Sequence, residues 1–207
     1  MDVETRESQA AMTPQNSLDA LKSGNERYTN GNMHERDFIE QVKATADGQY
    51  PHAVVLSCID SRIPTEIVFD QGVGDIFNAR IAGNFVNDDI LGSMEFACNV
   101  AGSKLIVVLG HTSCGAVKGA CDDVELGKLT QMLEKIEPAV EAVETPEDEA
   151  RNSSNIAFVD EVARKNVDFT IEDIRKGSEV LREMHDNGEI DIVGAMYDIK
   201  TGKVEFF

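Results

Sequence analysis

Two short, uninterrupted apolar segments constrain the fold of this 207-residue chain more than any other feature. They are "HAVVLSC", residues 52–58, and "KLIVVLGH", residues 104–111, and both are rich in β-branched side chains. Strands that lack an apolar–polar alternation are buried on both faces, which is typical of parallel sheets covered by helices. We therefore predict that both segments are buried strands.

Helical patterns around these segments complete the prediction of an α/β fold. The elements predicted in the first half are a helix capped by Ser17 and ending near Asn30, helices over 36–47 and 64–69, a strand over 76–79, a helix capped by Asn87 and one starting near Cys114. In the second half we predict helical segments on either side of a solvated connection over 141–154, a later helix capped by Thr170 and ending near Asn187, and two strands within 191–207. Alternating strands and helices form a mainly parallel sheet core flanked by helices. We expect one domain over 14–207, with an N-terminal helical arm over 14–50, after a flexible acidic tail over 1–13.

The charge of the chain excludes some classes of partner. With 19 Lys and Arg against 38 Asp and Glu, the formal net charge is −19, which repels nucleic acid and anionic membrane surfaces. The first residues, "MDVETRESQAAMTPQ", lack the basic start and apolar core of a signal peptide. We predict a cytoplasmic protein, with a periplasmic location after removal of a signal peptide as the alternative.

The chain has four cysteines, and in a cytosolic protein such residues are more often metal ligands or buried thiols than disulfides. Cys98 lies in an apolar helical stripe and Cys121 follows Cys114 by about two helical turns, so both are expected in the core. The histidines expected at the surface are His34, His52 and His185.

Cys58 and His111 each end an apolar strand, and Cys114 follows His111 by three residues. The carboxyl ends of parallel strands meet at one edge of a sheet, so these side chains can converge. Two thiolates and an imidazole suit zinc and leave its fourth position open. Two other interpretations remain open: Cys114 as a nucleophile with a lowered pKa near a helix start, and ordinary packing of small core residues.

The segment "CIDSR" adds a charged pair to this edge. Asp60 and Arg62 stand at alternate positions, so they point the same way in an extended turn. The arginine would hold the carboxylate ionised and oriented as a hydrogen-bond acceptor beside a metal-bound water. An ordinary surface ion pair is the alternative.

These motifs, together with "DQGVGDIFNARIAGN", "GHTSCGA" and "GAMYDIKTGKVEFF", resemble the β-class carbonic anhydrases over residues 17–207. The resemblance implies the β-carbonic anhydrase fold and reversible hydration of CO₂ to bicarbonate and a proton through a zinc-bound hydroxide. It also implies one Zn²⁺ per chain and a homodimer or a tetramer of dimers.

The resemblance assigns roles residue by residue. Cys58, His111 and Cys114 match the zinc ligands, and Asp60 with Arg62 matches a catalytic dyad whose aspartate can become a fourth ligand in a closed state. The residues implied for the substrate pocket are Gln49, Phe77 at a position supplied by the partner subunit, Phe96 where many members have tyrosine, and Gly115.

One branch of the family binds inhibitory bicarbonate through a tryptophan, an arginine and a tyrosine. Arg80 and Tyr197 resemble two of these residues, but Val55 stands at the tryptophan position. We therefore do not expect bicarbonate inhibition at that pocket. The alternative functions are hydrolysis of CS₂ or COS on the same fold and a non-catalytic zinc-binding module.

Overall fold

A five-stranded sheet organises residues 3–207, the part of the chain that this computed structural model describes. Its strands are β1 (Ala53–Ser57), β2 (Ile76–Arg80), β3 (Leu105–His111), β4 (Asp191–Tyr197) and β5 (Val204–Phe206). The helices are α1 (Arg6–Ala11), α2 (Pro14–Thr29), α3 (Phe38–Ala44), α4 (Thr65–Val68), α5 (Asp88–Glu95), α6 (Gly115–Cys121), α7 (Gly127–Leu133), α8 (Glu137–Ala142), α9 (Ile156–Gly177) and α10 (Glu179–Asp186). Helix α5 continues as a π-helical turn over Phe96–Val100.

The strand order is β2-β1-β3-β4-β5, and every pairing except that of β4 with β5 is parallel. Ser57 at the end of β1 lies opposite Arg80 of β2 and Leu109 of β3. The carboxyl ends of these strands therefore lie at one edge of the sheet. The predicted α/β fold with a mainly parallel sheet is confirmed.

Both faces of the central strands are buried, as their unbroken apolar sequence predicts. On one face, Val54 and Val108 belong to the core that packs under α9. On the other face, Val55 and Val107 belong to a core that includes Leu21 of α2. Leu21 is fully buried, which is worth about 1.5–3 kcal/mol relative to exposure. Helix α2 of the N-terminal arm thus finds its packing partner within its own chain.

The start of the arm differs from the prediction. Thr13, not Ser17, caps α2, because Pro14 fits the first helical position and the Thr13 side chain accepts the Asn16 N–H. Ser17 lies inside the helix, where its hydroxyl lies 2.7 Å from Nδ1 of His52. His52 is therefore buried at this contact, and its predicted surface position is wrong.

The flexible tail predicted over 1–13 contains helix α1; residues 1 and 2 lie outside the described part. The side chains of Thr5 and Ser8 form a reciprocal capping box at the start of α1. Gln9 is buried, and its Nε2 donates to the carbonyls of Pro51 and Ala101 at 2.8 Å each. These hydrogen bonds join residues 3–13 to the rest of the domain. The sequence of this segment is rich in charged and polar residues and gives no indication of them.

Helix α9 also corrects the prediction, because it begins well before Thr170. The Asn155 side chain caps it by accepting the Phe158 N–H, and Ser178 ends it and caps α10. Thr170 lies inside α9 and is buried. The helices between residues 3 and 207 include none that is long and apolar enough to cross a membrane.

A buried ion cluster holds the arm to the end of α4. Asp70 is fully buried and accepts hydrogen bonds from Arg27, at 2.5 Å, and from Arg36. Burial opposes ionisation of Asp70, but the hydrogen bonds from both arginines outweigh it and hold its pKa below the usual range. Asp70 also has a φ of 47°, a conformation in which asparagine is tolerated.

We expect Asp70→Asn to lower the free energy of unfolding at pH 7 by about 3 kcal/mol, since it leaves two arginines without their counter-charge. A carboxyl with a depressed pKa stabilises the fold above its unfolded pKa of about 3.9 and loses that effect as pH falls through its folded value. The difference between variant and wild type should therefore be constant from pH 8 to about pH 5 and shrink below about pH 4.

Urea denaturation measures this difference. The control is Glu40→Gln, which removes only the exposed pair with Lys43 and should change little. Equal stability of Asp70→Asn and Glu40→Gln at pH 7 would contradict the assignment of Asp70.

Candidate metal centre

Three donor side chains converge at the carboxyl edge of the sheet. Cys58 directly follows β1, His111 ends β3, and Cys114 directly precedes α6. Their ligand atoms all lie within 4.8 Å of one another, and all three residues are buried. The two sulfurs are 4.0 Å apart, so both thiols are free.

The tautomer of His111 directs a lone pair into this cluster. Nδ1 lies 3.0 Å from the carbonyl oxygen of Thr112, which can only accept, so Nδ1 carries the proton. Nε2 is buried and has no hydrogen-bond partner within residues 3–207. A buried imidazole nitrogen without a partner is costly unless a cation binds it.

The two thiols lie within hydrogen-bonding distance, and this contact shifts their pKa values in opposite directions. The pKa of Cys58 is lowered to about 4, first by the hydrogen bond from Cys114 and also by that from the Gly83 N–H, while burial opposes this shift. The pKa of Cys114 is raised, because it donates to Cys58 and is itself buried. A bound cation would displace the proton between the two sulfurs, so both cysteines would hold it as thiolates.

The donor set fits zinc. Zinc prefers sulfur and nitrogen ligands in a tetrahedron, and two sulfurs at the usual zinc distance lie about 3.8 Å apart. The observed 4.0 Å between the Cys58 and Cys114 sulfurs is close to this value. The predicted ligands are therefore brought together in a geometry that suits this metal.

Asp60 and Arg62 form the predicted pair. Nε and Nη2 of Arg62 donate to the two carboxylate oxygens at 2.9 and 2.7 Å, and the Arg62 N–H donates to Oδ1 at 3.0 Å. These hydrogen bonds hold the pKa of Asp60 far below its usual range. Oδ2 lies 3.9 Å from Nε2 of His111, so the carboxylate borders the metal cluster.

Arg80 supports the same turn. Its Nε donates to the Cys58 carbonyl at 2.9 Å and its Nη2 to the Asp60 carbonyl at 2.6 Å. Tyr197 is buried opposite His111 in the sheet, and burial raises its pKa to about 12. Val55 is buried in β1.

A cavity of about 250 Å³ opens beside Cys58 and Asp60. Gly115 lines it, and a Cβ at that position would meet no atom within 4 Å. The rest of its wall is apolar and comes mainly from α6 and α7, with Ile59, Ala82, Ala116, Leu129, Met132 and Leu133. An uncharged molecule of a few atoms fits this volume.

The other three predicted pocket residues do not line this cavity. Gln49 is exposed and precedes β1, at the opposite end of the strand from Cys58. Phe77 and Phe96 pack edge to face, with ring centroids 6.1 Å apart, and line a separate groove of about 580 Å³. Within this chain, Gln49, Phe77 and Phe96 therefore lie outside the cavity beside Cys58 and Asp60.

One contact is missing from the sequence prediction. The Gly83 N–H donates to the Cys58 sulfur at 3.4 Å from the loop that follows β2. Its position after a strand of the same parallel sheet is the signal that could have indicated it. Cys98 and Cys121 are buried away from the cluster, as predicted, and burial raises their pKa values to about 12 and about 11.

A family model described as carbonic anhydrase matches residues 53–204. Carbonic anhydrase 2 of Mycobacterium tuberculosis is 36% identical over 190 residues, 89% of this chain and 88% of that protein. The carbonic anhydrase of Mycolicibacterium smegmatis is 37% identical over 187 residues, 90% of this chain and 89% of that protein. A carbon disulfide hydrolase of Acidithiobacillus thiooxidans is 36% identical over 77 residues, 34% of this chain and 36% of that protein.

Solved structures share the fold. The β-carbonic anhydrase CafA of Aspergillus fumigatus superposes with a TM-score of 0.71 at 24% identity, covering 82% of this chain and 81% of that one. One of two tetrameric β-carbonic anhydrases of Sordaria macrospora superposes with a TM-score of 0.69 at 23% identity, covering 92% and 93%. From the family match, the relatives and the shared fold together, it follows that this chain belongs to the β-carbonic anhydrase family.

Proposed function

We propose that the protein is a zinc-dependent carbonic anhydrase that hydrates CO₂ reversibly to bicarbonate and a proton. The observation that carries this proposal is the unpartnered Nε2 of His111, which faces two cysteine sulfurs and lies 3.9 Å from a carboxylate. A site that only joined strands would have no use for an oriented acid beside it. Family membership supports the same reaction.

Each residue has a role that follows from its geometry. Cys58, His111 and Cys114 would hold the metal. Bound zinc would supply a Lewis acid that lowers the pKa of a coordinated water, for which carbonic anhydrase, with a value of about 7, is the standard example. Asp60, ionised and held by Arg62, accepts a hydrogen bond from the reacting water and orients it. Arg62 holds both oxygens of Asp60 and so keeps the carboxylate from moving onto the metal. Oδ2, which accepts only one of these hydrogen bonds, still has a free lone pair that can accept the hydrogen bond from the water.

The apolar cavity supports an uncharged substrate. CO₂ carries no net charge, so a wall of aliphatic groups from α6 and α7 admits it without an unpaired polar group. Gly115 leaves room beside the metal ligands, because no side chain fills that space. The same apolar wall would admit CS₂ or COS. Release of sulfide from these compounds at rates above the rate of CO₂ hydration would favour hydrolysis of CS₂ or COS as the function.

We expect one zinc per chain, and we expect Cys114→Ser to lose it because the three-donor set is broken. Zinc content measured by metal analysis should fall from about one to near zero, and CO₂ hydration should fall at least about 100-fold. The matched control is Cys98→Ser, which changes another buried thiol outside the cluster and should keep both. Full zinc and full activity in Cys114→Ser would refute the ligand assignment.

We expect Arg62→Ala to retain zinc and lose activity about 100-fold at pH 7, because a misplaced Asp60 no longer orients the water. Its folded stability should change little, since the Arg62 side chain is 51% exposed. Without Arg62 the Asp60 pKa moves back up towards about 3.9, so the carboxylate stays ionised at neutral pH and the loss reflects orientation. Asp60→Ala should also keep its metal and lose activity.

The predictions for Arg62→Ala and Asp60→Ala are checked by measuring CO₂ hydration from pH 6 to 9. Zinc content is measured on the same samples. Wild-type activity should rise through neutral pH as the coordinated water ionises. The control is Arg182→Ala, which breaks an exposed pair with Glu179 far from the cluster in sequence. If both zinc-replete dyad variants matched wild type across this range, the dyad would have no part in catalysis.

We also propose that the protein is a homodimer or a tetramer of dimers. Helix α3 exposes Phe38, Ile39 and Val42 at 58%, 67% and 53%, and Phe96 is 51% exposed. Large apolar side chains grouped at a surface are typical of an interface between subunits. In such an assembly Gln49, Phe77 and Phe96 would complete the substrate pocket of a neighbouring protomer. The tetrameric relatives of known structure support this proposal.

We expect the double variant Ile39→Glu/Val42→Glu to shift the protein towards smaller species in equilibrium sedimentation, because it places charges in the proposed interface. Val124→Glu, at a residue 38% exposed on a different segment, is the control and should leave the assembly unchanged. A stable, fully active wild-type monomer at low micromolar concentration would overturn the proposal.

A further inference from the structure

Helix α9 carries two polar residues on a buried stripe that is otherwise apolar. Asn166 and Thr170 are each 2% exposed, one helical turn apart, among neighbours such as Val162, Val167 and Ile174. Asparagine and threonine are poor helix formers, and a buried polar group is costly without a hydrogen bond. The side chains of Asn166 and Thr170 therefore need hydrogen-bond partners outside the helix.

Both residues contact the loop that follows β2. Nδ2 of Asn166 donates to the Gly83 carbonyl at 2.8 Å, and Oγ1 of Thr170 donates to the Asn84 carbonyl at 3.4 Å. Two successive carbonyls of this loop are thus held from one helix. The same loop supplies the Gly83 N–H that donates to the Cys58 sulfur.

This loop has an uncommon backbone conformation at two successive residues. Gly83 has a φ of 82° and Asn84 a φ of 41°. A Cβ at position 83 would lie 2.5 Å from Cδ1 of Ile136, so only glycine fits there. Positive φ is uncommon outside glycine even though asparagine tolerates it, so the hydrogen bonds from α9 help to hold the loop in this conformation.

Helix α9 also contacts the loop between His111 and Cys114. Oδ1 of Asp160 accepts the Ser113 N–H at 2.6 Å, and Ser113, between His111 and Cys114, has a φ of 55°. Asp160 and Asn166 are about 9 Å apart along the helix. One helix therefore holds both the loop that supplies Cys114 and the loop whose Gly83 N–H contacts the Cys58 sulfur.

We propose that α9 is the positioning element of the metal centre, with Asn166 as a positioning residue that directs the Gly83 N–H at the Cys58 sulfur. This inference rests on the proposed zinc site and goes beyond it, because neither Asn166 nor Asp160 contacts the metal donors themselves. Hydrogen bonds to ligand atoms and to the backbone around them set ligand orientation, and their loss costs metal affinity about 10- to 100-fold.

The test compares Asn166→Leu, which keeps the volume but removes the donor, with Val162→Ala, which destabilises the same helix without touching either loop. Zinc dissociation constants are measured by competition with a chelator, alongside the melting temperature of each metal-free protein. The sulfur-to-metal absorption of the cobalt-substituted proteins reports on the metal–sulfur bonds of Cys58 and Cys114. We expect Asn166→Leu to bind zinc about 10- to 100-fold more weakly and to shift this absorption band, and Val162→Ala to do neither.

Asp160→Ala is measured in parallel, because Asp160 is half-buried and its loss is tolerated more easily than a change in the core. It should also weaken zinc binding. If wild type bound no zinc, the proposed function would fail. If wild type bound zinc tightly and both Asn166→Leu and Asp160→Ala matched Val162→Ala in affinity and absorption, the positioning role would be wrong. Should Asn166→Leu not fold, unchanged affinity and absorption in Asp160→Ala alone would overturn it.

Discussion

The parallel pairing of β1 with β3 is the constraint on which the rest of the molecule depends. It places Ser57 opposite Leu109, so that Cys58 and His111 leave the sheet at the same edge although 53 residues separate them in the chain. Because both strands are buried on both faces, a shift of one residue would exchange the two cores and separate these side chains. The register that satisfies the hydrophobic core is thus also the one that brings the candidate metal donors together.

Polar groups at this edge are satisfied from several directions, which explains how a buried cluster of two thiols and an imidazole is tolerated. The Thr112 carbonyl accepts from His111, the Gly83 N–H donates to Cys58, and Arg80 donates to the carbonyls beside it. Among the three candidate metal donors, the Nε2 atom of His111 has no hydrogen-bond partner within residues 3–207, and His111 lies beside both sulfurs. A bound cation would satisfy this nitrogen without any rearrangement of the surrounding side chains.

The accuracy of the sequence-based prediction followed the range of the interactions involved. Strands β1 and β3 and the Asn87 cap were predictable, since apolar runs and capping side chains act within a few residues. His52 was wrongly assigned to the surface because its partner, Ser17, is distant in sequence. The start of α9 was misplaced because Thr170, the predicted cap, lies inside the helix and bonds the distant Asn84 carbonyl instead. Long-range polar contacts of this kind leave no periodic pattern in a sequence.

By itself, the sequence determined the fold class and the identity of the donor residues. Apolar runs that end in Cys58 and His111, with Cys114 and the Asp60–Arg62 pair at short spacing, allow few other arrangements in a parallel sheet. Only the tertiary structure decided how those residues are held: the tautomer of His111, the strained loops and the support from α9. It also placed Gln49 and Phe77 away from the cluster of their own protomer. The physical reason is that spacing along a chain constrains neighbours, whereas orientation and burial depend on partners that folding brings together.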